Sequence, residues 1–248
     1  MITDFKALTI PEGEVVKIED SFGRVLWQKQ DDWYITDGLI CHLDGIDNIA
    51  RGVHDSNAAT WIDLTGNGHN VPIANYIGTQ LSGWESDALA ALNCYNVPFS
   101  NDCKDYITIE IGFLVNGYQA VFNAGDGEGG ARKIVAILPS NGTIQFYNRA
   151  NANAPYISNN GKVFAAGVHY PAVESPLVYS NGEYKAYTAS DSWNTSQAAA
   201  VTCLGRGRNT AYNFKGKYYF IRLYNRALTA DEIAHNFEID KVRFNVQV

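Results

Sequence analysis

Carboxylates come first, because glycoside hydrolysis needs two of them facing one another, about 5 to 5.5 Å apart in a retaining enzyme, and a strand supplies that geometry when both share a face. The nearest acidic groupings are Glu85-Ser86-Asp87, Asp126-Gly127-Glu128 and Asp231-Glu232, which fall in expected loops or at a helix cap. Glu110, within the clearest strand pattern, has no acidic partner at 108 or 112. The five histidines, His42, His54, His69, His169 and His235, are scattered, and no Gly-x-Ser-x-Gly elbow is present. The expectation is a chain that is not an enzyme. The four cysteines, Cys41, Cys94, Cys103 and Cys203, lack CxxC or Cys/His metal spacing. They are expected as free thiols, although Cys94 and Cys103 are near enough in sequence to bridge.

Sugar binding asks for an aromatic face against the apolar side of a pyranose, with Asn, Asp and backbone donors for its hydroxyls. Trp84, Tyr95, Tyr118, Tyr147, Tyr156, Trp193 and Tyr212 lie in or beside expected loops. The ligand-binding candidates are Trp193, Asn194, Asp191, Trp84, Tyr118 and Tyr212; the bland alternative is aromatic packing in the core or within loops. Calcium is the candidate cofactor, since hard-cation ligation takes six to eight oxygens. Asp44, Asp63 and Asp126 are its metal candidates, with Asp47, Asn48, Asp55 and Glu128 as further oxygen donors. Asp44 and Asp63 are equally suited to capping turns.

These residues need a scaffold, and composition limits it. A chain of 248 residues that is 46% hydrophobic and 18% charged can bury a large core, which excludes disorder. A net charge of −7 argues against nucleic acid. Arg206, Arg208, Lys215, Lys217 and Arg222 cluster late in the chain, interleaved with Tyr, Phe and Gly as on a solvated strand face. No apolar run approaches a membrane span, and the first residues lack the pattern of a signal peptide.

Asn-Gly pairs at 67, 116, 141, 160 and 181, with Asp126-Gly127, suit the positive φ values of two-residue hairpins. Between them run period-two segments. Ile107, Ile109, Ile111, Phe113 and Val115 share one face, with Tyr106, Thr108, Glu110 and Gly112 opposite. Further strands are expected over 133–138, 143–147, 176–179, 184–188, 200–204 and 217–224. Strands without intervening helices predict an all-β antiparallel sandwich. One short helix is expected, opened by the capping box Thr229-Ala230-Asp231-Glu232, running to about Phe237 and followed by extended chain at 241–244. Residues 1–32 contain three short β-prone pieces and read as a β arm, with the sandwich over 37–248.

The segments Gly38-Leu39-Ile40-Cys41-His42-Leu43-Asp44-Gly45 and Trp61-Ile62-Asp63-Leu64-Thr65-Gly66-Asn67-Gly68 resemble the opening of a concanavalin A-like lectin/glucanase domain of the laminin-G-like type. The closing stretch from Leu204-Gly205-Arg206 through Phe214-Lys215-Gly216-Lys217-Tyr218-Tyr219-Phe220-Ile221-Arg222-Leu223-Tyr224 to Thr229-Ala230-Asp231-Glu232-Ile233 resembles that family too, as does Val178-Tyr179-Ser180-Asn181-Gly182-Glu183. The resemblance implies a jelly-roll sandwich of two curved antiparallel sheets. The Glu-x-Asp-x-(x)-Glu strand of the family's glucanases is absent. The N-terminal stretch, Leu8 to Ile18 with Gly23-Arg24-Val25-Leu26-Trp27, is similar to arms on tail-associated proteins of bacteriophages and prophages.

The sandwich resemblance does not by itself imply a function; weighed with the residue chemistry above and the likeness of the N-terminal arm, the expectation is a non-enzymatic carbohydrate-binding or adhesion module in a virion. It would recognise surface glycans, dock to tail subunits through residues 1–32 and form a possible homo-oligomer. A structural, oligomer-forming part without glycan specificity is the alternative, and a glycoside hydrolase stands third.

Overall fold

The computed structural model describes residues 17–19, 25–28, 33–73, 92–93, 97–98, 103, 106–114, 119–124, 133–138, 143–148, 150–155, 158–159, 162–168, 177–185, 188–190, 203–205, 214 and 216–246. In chain order the strands are β1 (Lys17–Glu19), β2 (Val25–Gln28), β3 (Leu39–Asp44), β4 (Thr60–Trp61), β5 (Val71–Pro72), β6 (Leu92–Asn93), β7 (Val97–Pro98), β8 (Thr108–Leu114), β9 (Gln119–Ala124) and β10 (Lys133–Leu138). They continue with β11 (Thr143–Asn148), β12 (Ala150–Pro155), β13 (Ser158–Asn159), β14 (Lys162–Val168), β15 (Leu177–Ser180), β16 (Glu183–Lys185), β17 (Thr188–Ser190), β18 (Cys203–Leu204) and β19 (Lys217–Tyr224), before the helix α1 (Ala230–Arg243).

Two antiparallel sheets form the sandwich. One has seven strands in the order β17-β12-β11-β10-β9-β18-β7; the other has eight, with β16-β15-β14-β8-β19-β3 as its main path. The expected all-β jelly roll is the observed fold class. β1 and β2 pair as a separate antiparallel hairpin within the arm. The space between the sheets is filled by Ile109, Ile111, Phe113, Phe122, Ile144, Phe146, Val163, Tyr218 and Ile221 among others, all fully buried. Across this core the Tyr218 hydroxyl donates to the Val121 carbonyl at 2.5 Å, tying one sheet to the other.

The alternation expected along β8 holds, but both of its faces are buried. Ile109, Ile111 and Phe113 meet the opposite sheet, while Glu110 lies beneath α1 and Thr108 bonds to Arg226 and Leu228 in the loop ahead of it. The helix closes the outer face of the eight-stranded sheet over two further apolar clusters. One contains Phe164, Tyr219, Phe220, Phe237 and Phe244; the other contains Ala166, Tyr179, Tyr224, Leu228 and Ile233. Three layers result, sheet on sheet and helix on sheet.

The helix also corrects the sequence reading. It does not stop at Phe237 with extended chain after it, but continues to Arg243, with Phe244 as its C-cap. Its last turns carry Ile239, Asp240 and Arg243 into buried positions, so tertiary contacts hold residues that lack a strong local signal. The expected start is confirmed: the Thr229 hydroxyl accepts the Glu232 amide at 3.2 Å, and the Glu232 carboxylate accepts the Thr229 amide at 2.8 Å. A bidentate pair to Arg226 at 2.7 and 2.8 Å fixes the same carboxylate.

Turn chemistry divides as well. Asn181 (φ 50°) and Gly182 (φ 74°) make the two-residue hairpin between β15 and β16. Asn67-Gly68 instead sits in the wider loop between β4 and β5. Strand β14 was not expected, since Ala165, Ala166 and Gly167 have weak β preference. Its Gly167 is required by packing: a Cβ there would lie 2.3 Å from the Phe146 ring.

Candidate functional site

Of the expected ligand-binding residues, Trp84, Tyr118, Asp191, Trp193, Asn194 and Tyr212 lie outside the described residues, as does the metal candidate Asp126. Strands flanking several of them in sequence are described, and pairing places those strand ends. Register places Lys133 beside Ala124 and Asn148, Asn148 beside Ala150, Asn151 beside Ser190, and Cys203 beside Asn123. The end of β9, the start of β10, the end of β17 and the start of β18 therefore lie at one end of the seven-stranded sheet. Residues 125–132, with Asp126, and 191–202, with Asp191, Trp193 and Asn194, are joined to that end. Tyr118 precedes Gln119 at the opposite end of β9. The segment bearing Tyr212 is likewise joined there, by Gly205, whose amide donates to the Val121 carbonyl at 2.8 Å, and by Phe214, whose amide donates to the Gly205 carbonyl at 2.9 Å. Ser190 at the end of β17 and Gln119 at the start of β9 thus lie at opposite ends of the seven-stranded sheet.

Asp44 and Asp63 are buried and serve local structure. Asp63 Oδ1 accepts the His42 and Thr65 amides at 3.0 and 3.1 Å and the Thr65 hydroxyl at 2.8 Å; its Oδ2 accepts the His69 amide at 3.1 Å. Asp44 Oδ1 accepts the amides of Ile46 and Asp47 at 2.8 and 3.0 Å, and its Oδ2 meets Arg243 at 3.0 Å. Burial alone would raise the Asp44 carboxyl, but Arg243, His42 and the Asp47 amide outweigh it and hold the group well below the ordinary carboxylate range. Among the described residues no group of three or more His, Cys, Asp or Glu stands ready for a metal ion.

The densest chemistry lies beneath α1. Arg222, fully buried, donates from Nε to Glu110 Oε2 at 2.8 Å, and from Nη1 and Nη2 to the two oxygens of Asp240 at 2.9 and 2.5 Å. Its guanidinium lies 4.0 Å from the ring centres of both Tyr34 and Phe220. Asn236 donates to Glu110 Oε2 at 2.8 Å and to the Tyr224 hydroxyl at 3.0 Å, while its Oδ1 accepts the Ile35 amide at 2.9 Å. The Tyr34 hydroxyl donates to Asp240 at 2.7 Å. Trp33, just before it, lies 4.5 Å from both Arg51 and Arg243. Residues 33–35, ahead of the sandwich start expected at Asp37, are thereby bound to helix and sheet.

Arg222 is not the solvated strand residue the sequence suggested: it is buried and pairs with Glu110, whose own strand holds no carboxylate at 108 or 112. Register sets Arg222 of β19 opposite Glu110 of β8, a cross-strand relation that spacing within one strand cannot reveal. Glu110 and Asp240 share one guanidinium. Burial pushes the Asp240 carboxyl up to about 6, Arg222 opposes that rise and Glu110 adds to it. Two carboxylates so close could exchange protons, yet Glu110 and Asp240 are only 3% and 2% exposed. The cavity they line with Arg222, Phe164, Phe220 and Phe237 measures about 20 Å³, room for one water molecule and not for a sugar ring.

No protein-family model and no curated protein matches the chain. Among solved structures, a mutant of Trypanosoma rangeli sialidase displaying trans-sialidase activity is similar at 15% identity and a TM-score of 0.53, over 83% of this chain and 33% of that one. Trypanosoma rangeli sialidase in complex with 2,3-difluorosialic acid gives 16% identity and the same TM-score and coverage. The CBM40 of Ruminococcus gnavus IT-sialidase bound to alpha2,3 sialyllactose gives 16% identity and a TM-score of 0.44, over 58% of this chain and 94% of that one. The chain spans about a third of the length of the trypanosomal sialidases, and its likeness to them is one of fold.

Proposed function

We propose that the chain is a carbohydrate-binding or adhesion module without catalytic activity, carried on a phage or prophage virion. It meets surface glycans at the end of the seven-stranded sheet where residues 125–132 and 191–202 are joined. The observation that carries this reading is the pairing of β9, β10, β17 and β18, which brings the attachment points of both segments to one end. An indole with carboxylate and amide groups beside it is the chemistry a pyranose requires. The sandwich fold is compatible with such a module. The burial of Glu110 and Asp240 against Arg222 favours binding over hydrolysis. Residues 1–32 serve as the docking arm toward other tail subunits.

The test is a glycan array probed with the intact protein, including bacterial surface polysaccharides and alpha2,3 sialyllactose. Binding to at least one glycan, weakened tenfold or more in Trp193→Ala and retained in Tyr212→Phe, is the expected result. Loss in Tyr118→Ala or Tyr212→Ala with Trp193→Ala unaffected moves the site to the other end of the sheet. Absence of binding to every glycan overturns the reading in favour of a structural part.

A further inference from the structure

We propose that Asn67-Gly68 is a self-modifying site: the Gly68 amide nitrogen attacks the Asn67 side-chain amide, and the residue becomes isoaspartate or aspartate, which unfastens the segment sealing the outer edge of β3. Both residues are exposed, and Gly68, at φ 85°, has nothing within 4 Å of where a Cβ would stand. Among the described residues the Gly68 amide has no hydrogen-bond partner. The Asn67 side chain has a single one, the Ile40 carbonyl, which accepts Nδ2 at 2.9 Å. The other Asn-Gly pair among the described residues is the opposite case. Asn181 is only 7% exposed, its amide donates to the Phe164 carbonyl at 3.0 Å, and the Phe237 ring packs against Gly182, 3.0 Å from where a Cβ would stand. Ring closure there would have to turn the left-handed backbone of the hairpin, φ 50° and 74°, out of the conformation its strands impose. Asn116, Asn141 and Asn160 lie outside the described residues.

Glycine suits the attack because no side chain shields its nitrogen. The Gly68 nitrogen loses its proton and bonds to Asn67 Cγ, the Cγ–Nδ2 bond breaks, and ammonia leaves with that proton, closing a five-membered imide. Water then adds to one imide carbonyl: opening at Cγ leaves aspartate, opening at the backbone carbonyl leaves isoaspartate, and nothing is oxidised or reduced. The consequence falls on β3, the last strand on the main path of the eight-stranded sheet. Its outer edge is closed by the loop that follows β4: the His42 carbonyl accepts the Leu64 amide at 2.8 Å, and the His42 amide donates to Asp63 at 3.0 Å. Two residues back, the Ile40 carbonyl depends on Asn67. The Thr65 hydroxyl lies 3.4 Å from it but places its one proton on Asp63, at 2.8 Å. A carboxylate at 67 has no hydrogen to donate and sets oxygen against oxygen, so this end of the seal comes away.

The full chain is incubated warm at mildly alkaline pH, beside an unfolded sample, and both are digested for mass spectrometry. The expected result is a gain of about one mass unit located at Asn67, proceeding about tenfold or more ahead of Asn181 in the folded chain, with the two rates converging once the chain is unfolded. Asn67→Asp carries the charge of the product without the ring chemistry. It is expected to speed hydrogen exchange at the Leu64 amide by about tenfold, the loss of one hydrogen bond, while the amides of β8 keep their protection. Equal rates at Asn67 and Asn181 in the folded chain, an Asn67 that stays unmodified, or unchanged Leu64 exchange in Asn67→Asp overturns the proposal.

Discussion

Replacing Arg222 by Met tests whether the cluster beneath α1 is a structural keystone. The side chain makes three charge-assisted hydrogen bonds, at 2.8, 2.9 and 2.5 Å, and stacks between two rings at 4.0 Å. Methionine fills much of the volume but leaves Glu110 and Asp240 facing one another without a cation. Removing one partner from a buried ion cluster costs about 3 to 5 kcal/mol, against roughly 5 to 15 kcal/mol for a whole domain. For a chain of this length that lowers the melting temperature by about 10 °C. The assay is urea unfolding at pH 7 and pH 5. In the native protein the raised Asp240 pKa contributes stability that is fully present below its unfolded value near 3.8 and is lost as pH rises through about 6. Without Arg222 the Asp240 carboxyl takes up its proton more readily, so the deficit is larger at pH 7 than at pH 5. Adding Glu110→Gln and Asp240→Asn recovers most of the loss, because no charge is left to compensate. A deficit under about 1 kcal/mol at pH 7, or one equal at the two pH values, refutes the argument.

Two further outcomes follow from the same packing. A chain beginning at Asp37 is expected to be less stable than one beginning at residue 30 by about 3 kcal/mol, because it lacks the Tyr34 bond to Asp240 and the ring over Arg222; equal urea midpoints would count against this. Gly167→Ala places a methyl 2.3 Å from the Phe146 ring and is expected to cost about 1 to 3 kcal/mol, read as a lower melting temperature, whereas an unchanged one shows that the ring moves aside freely.

What the sequence discloses depends on how far apart the interacting groups lie. Alternation in β8, the Asn181-Gly182 hairpin and the Thr229 capping box are local patterns, and each was legible. Asp63 was legible as a candidate but ambiguous in role, since a carboxylate that accepts four nearby donors has the same local sequence as one that holds a cation. The cluster beneath the helix was not legible, because its members come from four elements far apart in the chain: Tyr34, Glu110, Arg222, and the helix residues Asn236 and Asp240.

The extended chain expected at 241–244 failed for the same reason. The sequence reading ends the helix near Phe237, whereas Asp240 and Arg243 are held in its last turns by Arg222 and Asp44, which lie far off in the sequence. These two ion pairs hold the last turns of the helix to the sheet. Neutralising Asp44 should loosen that turn before it disturbs the sandwich core, since Arg243 would keep only Asp47, at 3.4 Å, as its carboxylate partner.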